Sequence, residues 1–226
     1  IGELMNRKCL AVGIILLFVG TCIIPAIAQN NEKQAFPSSR GNWLYVGGNG
    51  PGNYTKIQDA IDNASDGDTV FVFDASSPYY EDLTIDISIT LYGEDHDTTV
   101  LAGLNGAITI NITAARVCVS GFTIKLSANW STAVAIHADS AQIVSNRFIA
   151  KPLPEPFIVF YGIIARGANN LTIINNEFKE NVTAISISDS HSSVIKNNSI
   201  TYGEYATYLT NCYDTIIANN RINESL

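Results

Sequence analysis

A six-residue pattern recurs along the second half of the chain and constrains its fold more than any other feature. Each copy, called a hexad here, has an aliphatic residue, two variable residues, Asn, one variable residue, and Phe or Ile. Clear hexads start at Ile143, Ile173, Ile195 and Ile217, and a degenerate one starts at Val119. Successive starts are 24, 30, 22 and 22 residues apart. Such a period indicates a solenoid, in which each repeat packs on its neighbours.

The length of the repeat suits one coil of a parallel β-helix, in which short strands of successive coils pair about 4.8 Å apart. A second short apolar strand begins 10 to 12 residues before each hexad, at Ala107, Ala133, Gly162, Ala184 and Ala206. Leucine-rich repeats need a leucine framework, β-propellers need about 40 residues per blade, and helical solenoids need a 3.6-residue period. The sequence has none of these features. We therefore predict an all-β fold, a single-stranded parallel β-helix.

The asparagines of the hexads have a physical reason to repeat. Asn tolerates the left-handed backbone of a sharp turn, and its amide can hydrogen-bond to an equivalent Asn in the next coil. The predicted structural stacks are Asn175, Asn197 and Asn219, and Asn176, Asn198 and Asn220.

Two of the four cysteines, Cys118 and Cys212, lie outside the N-terminal apolar segment. They fall at different phases of the repeat and four coils apart, so their α-carbons should be separated by on the order of 19 Å. A disulfide cannot span that distance. We predict that both remain thiols.

The first residues have the order of a secretory signal peptide. A basic start at Met5–Lys8 precedes an apolar run from Leu10 to Ile24 and a small-x-small ending at Ala28, where we expect cleavage. The alternative is a membrane anchor, although the run is shorter than the roughly 20 residues that a spanning helix needs. Cleavage would leave no membrane span and an exported protein, secreted or at the cell surface, or periplasmic in a double-membrane cell. The predicted segments are a signal peptide (1–28, with 1–4 upstream of the true start), a flexible mature N-terminus (29–44) and the β-helix (45–226).

A short capping helix is predicted at the start of the β-helix. Thr55–Gln58 has the form of a capping box, and Ile57, Ala60, Ile61 and Ala64 form an apolar stripe. Such a helix can cover the apolar end of the first coil. No comparable cap follows the last hexad, which suggests a truncated chain whose solenoid continues, or an oligomer contact at that end.

The charge balance limits the partners. The chain has 21 Asp and Glu against 13 Lys and Arg, for a net charge of −8. Eleven of the acids lie within residues 56–97, from Asp59 to Asp97, and Lys56 is the only Lys or Arg of that segment. This balance argues against nucleic acid as a partner and favours a solvated acidic face.

Sequons for N-glycosylation agree with export from the cytoplasm. The candidate sites are Asn53, Asn63, Asn111, Asn129, Asn170, Asn181, Asn197 and Asn223.

Together with the hexads, the opening stretches Tyr54–Ile61, Asp66–Val70, Tyr80–Glu81 and Ile89–Glu94 resemble the right-handed parallel β-helix proteins of the pectin-lyase-like superfamily. The likeness is to the NosD-type or carbohydrate-associated repeat group of prokaryotic surface proteins, and it covers about 45–224. It implies a right-handed solenoid. It implies no single activity, because the fold hosts lyases, hydrolases, epimerases and noncatalytic surface proteins.

The catalytic motifs of this fold are missing from the sequence. Neither the Gly-His-Gly nor the Arg-x-Lys of polygalacturonases occurs, nor the Asp-Pro-His-Glu of alginate epimerases. A lyase needs calcium-binding carboxylates beside an arginine base. Asp139, Arg147, Arg166 and Asp189 are of the right types, but the sequence does not place them on one face. We assign no catalytic residue, and a polysaccharide lyase or related carbohydrate-active enzyme stays open as an alternative.

One turn is a candidate metal site. Glu94, Asp95 and Asp97 are closely spaced hard oxygen ligands of the kind that Ca²⁺ prefers. A plain polar turn is the alternative.

Copper is not favoured by the pattern. His96, His137 and His191 fall at different phases of the repeat, and no methionine follows the signal peptide. A NosD-like periplasmic accessory role in copper-site maturation therefore rests on the resemblance alone.

Additions to the basic repeat fall at one corner of adjacent coils, over 125–132, 149–161, 179–183 and 201–205. Flat aromatic rings beside polar groups suit the stacking of sugar rings. The predicted glycan-binding rim consists of Trp130, Phe157, Phe160, Tyr161, Tyr202 and Tyr205. Alternatively, three prolines stiffen a loop whose aromatic side chains pack back onto the helix. The favoured function is noncatalytic binding of polysaccharide or a contribution to the cell envelope.

Overall fold

The computed structural model describes residues 41–104, 107–126, 131–150, 160–180, 183–201 and 205–223. The predicted signal peptide lies outside these ranges. Within them the chain is nearly all β-structure, with one α-helix, α1 (Ile57–Asp62), and one 3-10 turn (Asp74–Ser76).

The strands form three parallel sheets, A, B and C, and after its first strand the chain visits them in this fixed order. Sheet A contains β1 (Trp43–Val46), β2 (Thr69–Val72), β5 (Thr90–Gly93), β8 (Cys118–Ser120), β11 (Gln142–Val144), β14 (Thr172–Ile174), β17 (Val194–Lys196) and β20 (Ile216–Ala218). Sheet B contains β3 (Tyr79–Tyr80), β6 (Val100–Ala102), β9 (Thr123–Leu126), β12 (Arg147–Ala150), β15 (Glu177–Lys179), β18 (Ser199–Thr201) and β21 (Arg221–Asn223). Sheet C contains β4 (Leu83–Ile85), β7 (Ile108–Ile112), β10 (Ser131–Ile136), β13 (Phe160–Arg166), β16 (Thr183–Ser188) and β19 (Tyr205–Thr210).

This architecture is a β-solenoid of about seven turns, so the predicted fold class is confirmed. Strand β1 begins at Trp43 and pairs with β2 along its whole length. The first coil therefore starts two residues earlier than the sequence boundary at residue 45.

The hexads set the register of the later coils. In sheet A, Ile143 lies opposite Val119 on one side and Ile173 on the other. Ile195 and Ile217 continue the same column. The sequence steps of 24, 30, 22 and 22 residues are therefore the lengths of successive circuits.

One pairing in sheet C differs from the sequence pattern. The small-residue signal aligned Val134 with Ile108, whereas Val134 lies opposite Ile110 and Ile108 lies opposite Thr132. The error is a shift of two residues. Because side chains alternate with a period of two, such a shift keeps every residue on its own face of the sheet.

The core fills the inside of the coils. Aliphatic side chains at the centre of the sheet A strands in the middle coils, such as Leu91, Ile143 and Ile173, are fully buried. In sheet B, the rings of Phe148 and Phe178 stack with centroids 4.6 Å apart and planes inclined by 6°. Complete burial of such a side chain stabilises the fold by about 1.5–3 kcal/mol.

The fourth residue of each clear hexad belongs to a ladder of asparagines at the corner between sheets A and B. The Oδ1 atoms of Asn176, Asn198 and Asn220 each accept a backbone N–H from the Asn of the preceding coil, at 2.9–3.0 Å. Their Nδ2 atoms donate to carbonyl groups of the preceding coil, as from Asn176 to Ile143 at 2.7 Å. The side chains thus replace backbone hydrogen bonds that the corner interrupts.

The third residue of each hexad makes the corner itself. Asn175, Asn197 and Asn219 have φ of 58°, 55° and 55°, and Ser145 and Gly121 take the equivalent place in earlier coils with φ of 55° and 81°. This is the left-handed region that Asn and Gly tolerate. The two neighbouring asparagines therefore have separate tasks, a turn and a ladder.

The helix α1 packs Ile57, Ala60 and Ile61 into the core at the N-terminal end. Its predicted capping box is wrong, because no side chain of the N-cap region bonds to the helix. Instead the carboxylate of Glu81 accepts the backbone N–H groups of Ile57 at 2.8 Å and Gln58 at 3.0 Å. The cap comes from a residue more than 20 positions further along the chain.

Cys118 is buried and Cys212 is half-buried, and both are free thiols, as the coil spacing predicts. Burial raises the pKa of Cys118 to about 11. Among the described residues, no helix has the length and apolar character needed to cross a membrane.

The last described coil presents its core side chains to solvent. Ile217 and Ile222 are 52% and 63% exposed, although their equivalents in earlier coils are buried. Whether the solenoid continues there or meets another chain stays a prediction.

Candidate functional site

Five aromatic side chains form a continuous surface on the outer face of sheet A in the first three coils. We call this surface the aromatic platform, and its members are Trp43, Tyr45, Phe71, Phe73 and Tyr92. Tyr45, Phe71 and Tyr92 lie in one column, because they are register partners in β1, β2 and β5. Trp43 and Phe73 extend the platform along the strand direction.

The rings of the platform contact one another at several angles. The centroids of Tyr45 and Phe73 are 6.0 Å apart with planes inclined by 25°, which makes them a stacked pair. Trp43 lies 6.3 Å from Tyr45, and Phe71 lies 5.6 Å from Tyr92. These spacings are ordinary for aromatic pairs, so the rings support one another on the surface.

The alternation of the strands explains why these rings lie outside the core. Val46, Val70 and Val72 point inward and are fully buried. The side chains between them must then point outward. Trp43 and Tyr45 are 50% and 41% exposed. Contiguous aromatic surface outside a hydrophobic core is uncommon, so the platform is a candidate contact site.

Acidic side chains border one end of the platform. Asp74 directly follows Phe73, and Glu94 follows Tyr92 by two residues. Glu94 Oε2 accepts the backbone N–H of Asp74 at 3.1 Å, and Asp74 Oδ2 accepts the hydroxyl of Thr98 at 2.8 Å. The border is therefore an ordered, negatively charged edge.

A cleft of about 380 Å³ lies beside the platform. Its wall includes Gly47 and Gly48, whose φ angles of 74° and 65° suit glycine, and also Lys56 and Tyr80. A Cβ atom on Gly48 would lie 3.0 Å from the ring of Phe73. The glycine loop thus joins the cleft to the platform.

The predicted rim is only partly within the described residues. Tyr161 lies opposite Thr183, which in turn lies opposite Tyr205. Tyr161 and Tyr205 are therefore in one column of sheet C, two coils and about 10 Å apart. Tyr205 is half exposed and its ring lies 6.2 Å from that of Tyr208. Trp130, Phe157 and Tyr202 lie outside the described residues.

The prediction that Phe160 belongs to the glycan-binding rim is wrong. Its side chain is 3% exposed and belongs to the hydrophobic core. Because Phe160 and Tyr161 are consecutive in β13, they point to opposite faces, and Phe160 is the one that points inward. It cannot offer a ring face to a ligand.

A signal for the platform is present in the sequence but is weak. Trp43 and Tyr45 alternate with aliphatic residues, as do Phe71 and Phe73. Each pair alone is an ordinary amphipathic strand. Only the pairing of β1 with β2 brings the two pairs into contact.

A family model described as "Periplasmic copper-binding protein (NosD)" matches residues 61–225, more than two thirds of the chain. The chain belongs to the NosD family. Two crystal structures of a pectin methylesterase from Aspergillus niger, in penultimately deglycosylated and deglycosylated forms, are similar to this NosD-family chain, each at 14% identity. The alignments cover 84% and 85% of this chain and 86% and 91% of the esterase, with TM-scores of 0.46 and 0.31. No curated protein matches.

The histidines of this NosD-family chain do not converge. His96 lies in the turn between sheets A and B, whereas His137 and His191 follow strands of sheet C. His96 has acidic neighbours instead, because one ligand atom each of Asp95, His96 and Asp97 lie within 4.8 Å of one another, and all three residues are exposed. This is a small nitrogen and oxygen donor set.

The predicted calcium ligands divide between other partners. Glu94 accepts the N–H of Asp74, and Asp97 Oδ1 lies 2.7 Å from Nη1 of Arg147. Asp95 Oδ1 accepts the backbone N–H of Asp97 at 2.8 Å. Calcium at this turn stays a prediction.

Arg147 is the centre of an ion-pair network in sheet B. Its Nε donates to Glu177 Oε2 at 2.5 Å, and Lys179 Nζ lies 2.9 Å from Glu177 Oε1. Burial alone would raise the pKa of Glu177, but hydrogen bonds from Lys179 and Arg147 lower it below its ordinary value. The hydrogen bond to Glu177, only partly offset by burial, raises the pKa of Arg147.

The lyase candidates divide between two sheets, because Arg166 ends β13 of sheet C opposite Ser188, the residue before Asp189, whereas Arg147 is in another sheet. Arg147 lies in sheet B, paired to Asp97 and Glu177. Asp139 and Asp189 lie after strands of sheet C, where Asp139 Oδ1 accepts the N–H of Asn169 and Asp189 Oδ1 accepts from Asn211 Nδ2. Their hydrogen bonds are those of turn residues.

Several sequon asparagines have structural contacts. Asn53 Nδ2 donates to the carbonyl of Gly47 at 2.6 Å, and Asn63 Nδ2 donates to that of Asp59 at 2.7 Å. Asn170 and Asn197 lie in left-handed turns. Asn111 and Asn223 belong to β7 and β21, and Asn129 and Asn181 lie outside the described residues. Glycosylation of these sites stays a prediction.

Proposed function

We propose that this NosD-family chain is an exported, noncatalytic β-helix protein that binds polysaccharide through the aromatic platform. The platform is the single observation that carries the proposal. Five mutually supporting rings face outward on a flat parallel sheet, where a globular protein ordinarily places polar side chains.

The chemistry of the platform favours a sugar polymer. Pyranose rings present flat faces of C–H groups, which stack on aromatic rings, and hydroxyl groups at their edges. Tyr45 and Tyr92 add phenolic hydroxyls that can donate to and accept from those edges. Thr90 lies in the same strand as Tyr92 and adds a further hydroxyl. A flat, open surface suits the side of a long chain better than a small enclosed ligand.

Location outside the cytoplasm is supported by the signal-peptide pattern over 1–28 and by the word periplasmic in the description of the matching family. A platform in that compartment would meet envelope or extracellular glycans. Glycan binding by the platform could equally attach the protein to an envelope layer and so contribute to that layer.

The test is glycan binding by the full chain and by a Trp43→Ala/Tyr45→Ala variant. We expect wild-type binding on an array of polysaccharides without release of soluble products, and a loss of at least about tenfold in affinity in the variant. Tyr213→Ala is the matched control, because Tyr213 is an exposed aromatic residue at the other end of the solenoid. Unchanged affinity in the platform variant, or equal losses in both, would reject the platform.

The predicted rim has its own test. A Trp130→Ala/Tyr161→Ala variant should keep the affinity of the wild type if the platform is the site, and should lose it if the rim is. Release of shortened or unsaturated products by the wild type would instead favour the polysaccharide-lyase alternative.

A second candidate is a copper-related accessory role, as the description of the family suggests. Asp95, His96 and Asp97 form the donor set that favours it, since imidazole and carboxylate are acceptable ligands for Cu(II). Titration of the purified chain with Cu(II) should then show one site that His96→Ala removes and His137→Ala keeps. Equal binding by both variants would reject this candidate.

A further inference from the structure

The negative charge of the chain is concentrated in the coils that carry the platform. Residues 41–104 contain 11 Asp and Glu against Lys56 alone, whereas residues 107–223 contain seven Asp and Glu against eight Lys and Arg. The net charges of the two regions are therefore −10 and +1, a difference of eleven. A glycan that reaches the platform therefore enters the most negative part of the described chain.

Hydrogen bonds hold several of these carboxylates in position. Asp68 accepts the backbone N–H groups of Asn42 at 2.6 Å and Ser65 at 2.8 Å, and Asp66 accepts that of Ser88 at 3.0 Å. Asp74 and Glu94, at the border of the platform, are linked to each other in the same way. Backbone groups of the fold therefore anchor these carboxylates in the coils that carry the platform.

Within the described residues 41–104 the one Lys or Arg is Lys56, and Arg147 reaches these coils from a later one. Arg147 is paired with Asp97 and Glu177. Lys56 lines the cleft beside the platform, together with Gly48. The platform itself is made of uncharged rings, whose faces carry negative partial charge and do not attract carboxylates.

We propose that the platform selects neutral polysaccharides and rejects uronic-acid polymers. This rests on the proposed glycan-binding function. The rings provide contacts that any flat pyranose can use, and the surrounding acids exclude those chains that carry a carboxylate on each sugar. Selectivity comes from repulsion as much as from attraction.

A matched pair of probes isolates charge from sugar geometry. Polygalacturonate and its fully methyl-esterified form share one backbone and differ in the carboxylates. They are measured with cello-, chito- and manno-oligosaccharides as further neutral probes, by calorimetry at low and at high salt. We expect the neutral probes to include at least one that binds about tenfold or more tighter than polygalacturonate at low salt, with the difference shrinking as salt is added.

Two other results have different meanings. Polygalacturonate that binds as tightly as the best neutral probe at low salt would overturn the selectivity and leave the glycan-binding function standing. Absence of binding by every probe, charged or neutral, would overturn both.

Variants test whether the acids at the border cause the selectivity. Asp74→Asn/Glu94→Gln removes two charges and keeps an oxygen acceptor at each position. It should raise the affinity for polygalacturonate several-fold at low salt and leave neutral binding unchanged. Asp189→Asn/Asp214→Asn is the matched control, because it removes two charges at left-handed turns of the later coils, where Asn is well tolerated. An equal rise in both variants, or no rise in either, would contradict exclusion by the border.

Discussion

The first coils and the last coils of this solenoid follow the same three-sheet circuit but hold it together differently. In residues 160–223 the circuits have equal lengths, and the corner between sheets A and B repeats a left-handed Asn and a buried Asn ladder. In residues 41–104 the circuits are unequal, and the end is closed by α1 and by the carboxylate of Glu81. The outer face there carries aromatic rings and acids.

The difference teaches where a repeat fold leaves room for function. In every regular circuit the hexad residues form the turn and supply the hydrogen bonds that the backbone lacks at the corner, so these positions have a structural role. The irregular coils satisfy the backbone with single, non-repeating contacts, and their outward positions are then available for a binding surface. The following predictions challenge this contrast, from the largest expected effect to the smallest.

Asn176→Ala should have the largest effect on stability. The change removes the acceptor of the buried N–H of Asn146 and one donor to the buried carbonyl of Ile143, which should lower the free energy of unfolding by about 3 kcal/mol. Urea denaturation measures the loss. Asn220→Ala is the control, since its ladder position is only partly buried and should cost about 1 kcal/mol. Equal losses at the two positions would show that the ladder does not depend on burial.

Glu81→Ala tests the closure of the first coils. Two helix N–H groups lose their acceptor, so we expect a loss of about 1–2 kcal/mol and faster amide exchange at Ile57 and Gln58. Thr55→Ala should have little effect, because the capping box does not form. If Thr55→Ala lowered the free energy of unfolding more than Glu81→Ala did, the helix would be capped by Thr55 after all.

Asn175→Ala probes the turn position next to the ladder. An alanine at a φ of 58° should cost about 1 kcal/mol, whereas Asn175→Gly should be close to neutral, as in Gly121 of an earlier coil. Thermal unfolding of the pair gives the difference. If both variants lost the same stability, the side chain rather than the backbone angle would matter at this position.

The ion pair of Glu177 should make a small, pH-dependent contribution. Its pKa is lowered in the folded state, so the stabilisation is fully present above the ordinary value of 4.5 and is lost as pH falls through the folded value. The free energy of unfolding of the wild type should exceed that of Glu177→Gln by at most about 1 kcal/mol at neutral pH. This difference should shrink as the pH falls below 4.5 and vanish below the folded-state pKa. If the difference between wild type and Glu177→Gln increased in acid, the pKa of Glu177 would not be lowered by folding.

The later coils could be predicted from the sequence because their contacts repeat. Val119, Ile143, Ile173, Ile195 and Ile217 are both hexad starts and register partners. The pattern in sheet C was weaker, since its small residues occur more freely, and one pairing shifted by two. The closure by Glu81 could not be predicted, because a lone carboxylate more than 20 residues away carries no local signal.

The candidate site depended on circuit lengths that no pattern marks. Trp43, Thr69, Thr90 and Cys118 are register partners at intervals of 26, 21 and 28 residues. The platform exists because Tyr45, Phe71 and Tyr92 keep the same phase through these unequal circuits. A change of one residue in either of the first two intervals would send some of these rings to the other face.

By itself, the sequence determined the solenoid, the register of the regular coils and the turns at which the chain changes sheet. These features follow from backbone requirements that recur and are met by nearby residues. Only the tertiary structure decided which rings meet on the outside, that Phe160 points into the core, and which carboxylate closes α1. Those contacts join residues from different coils, and their meeting depends on how much chain each loop consumes between strands.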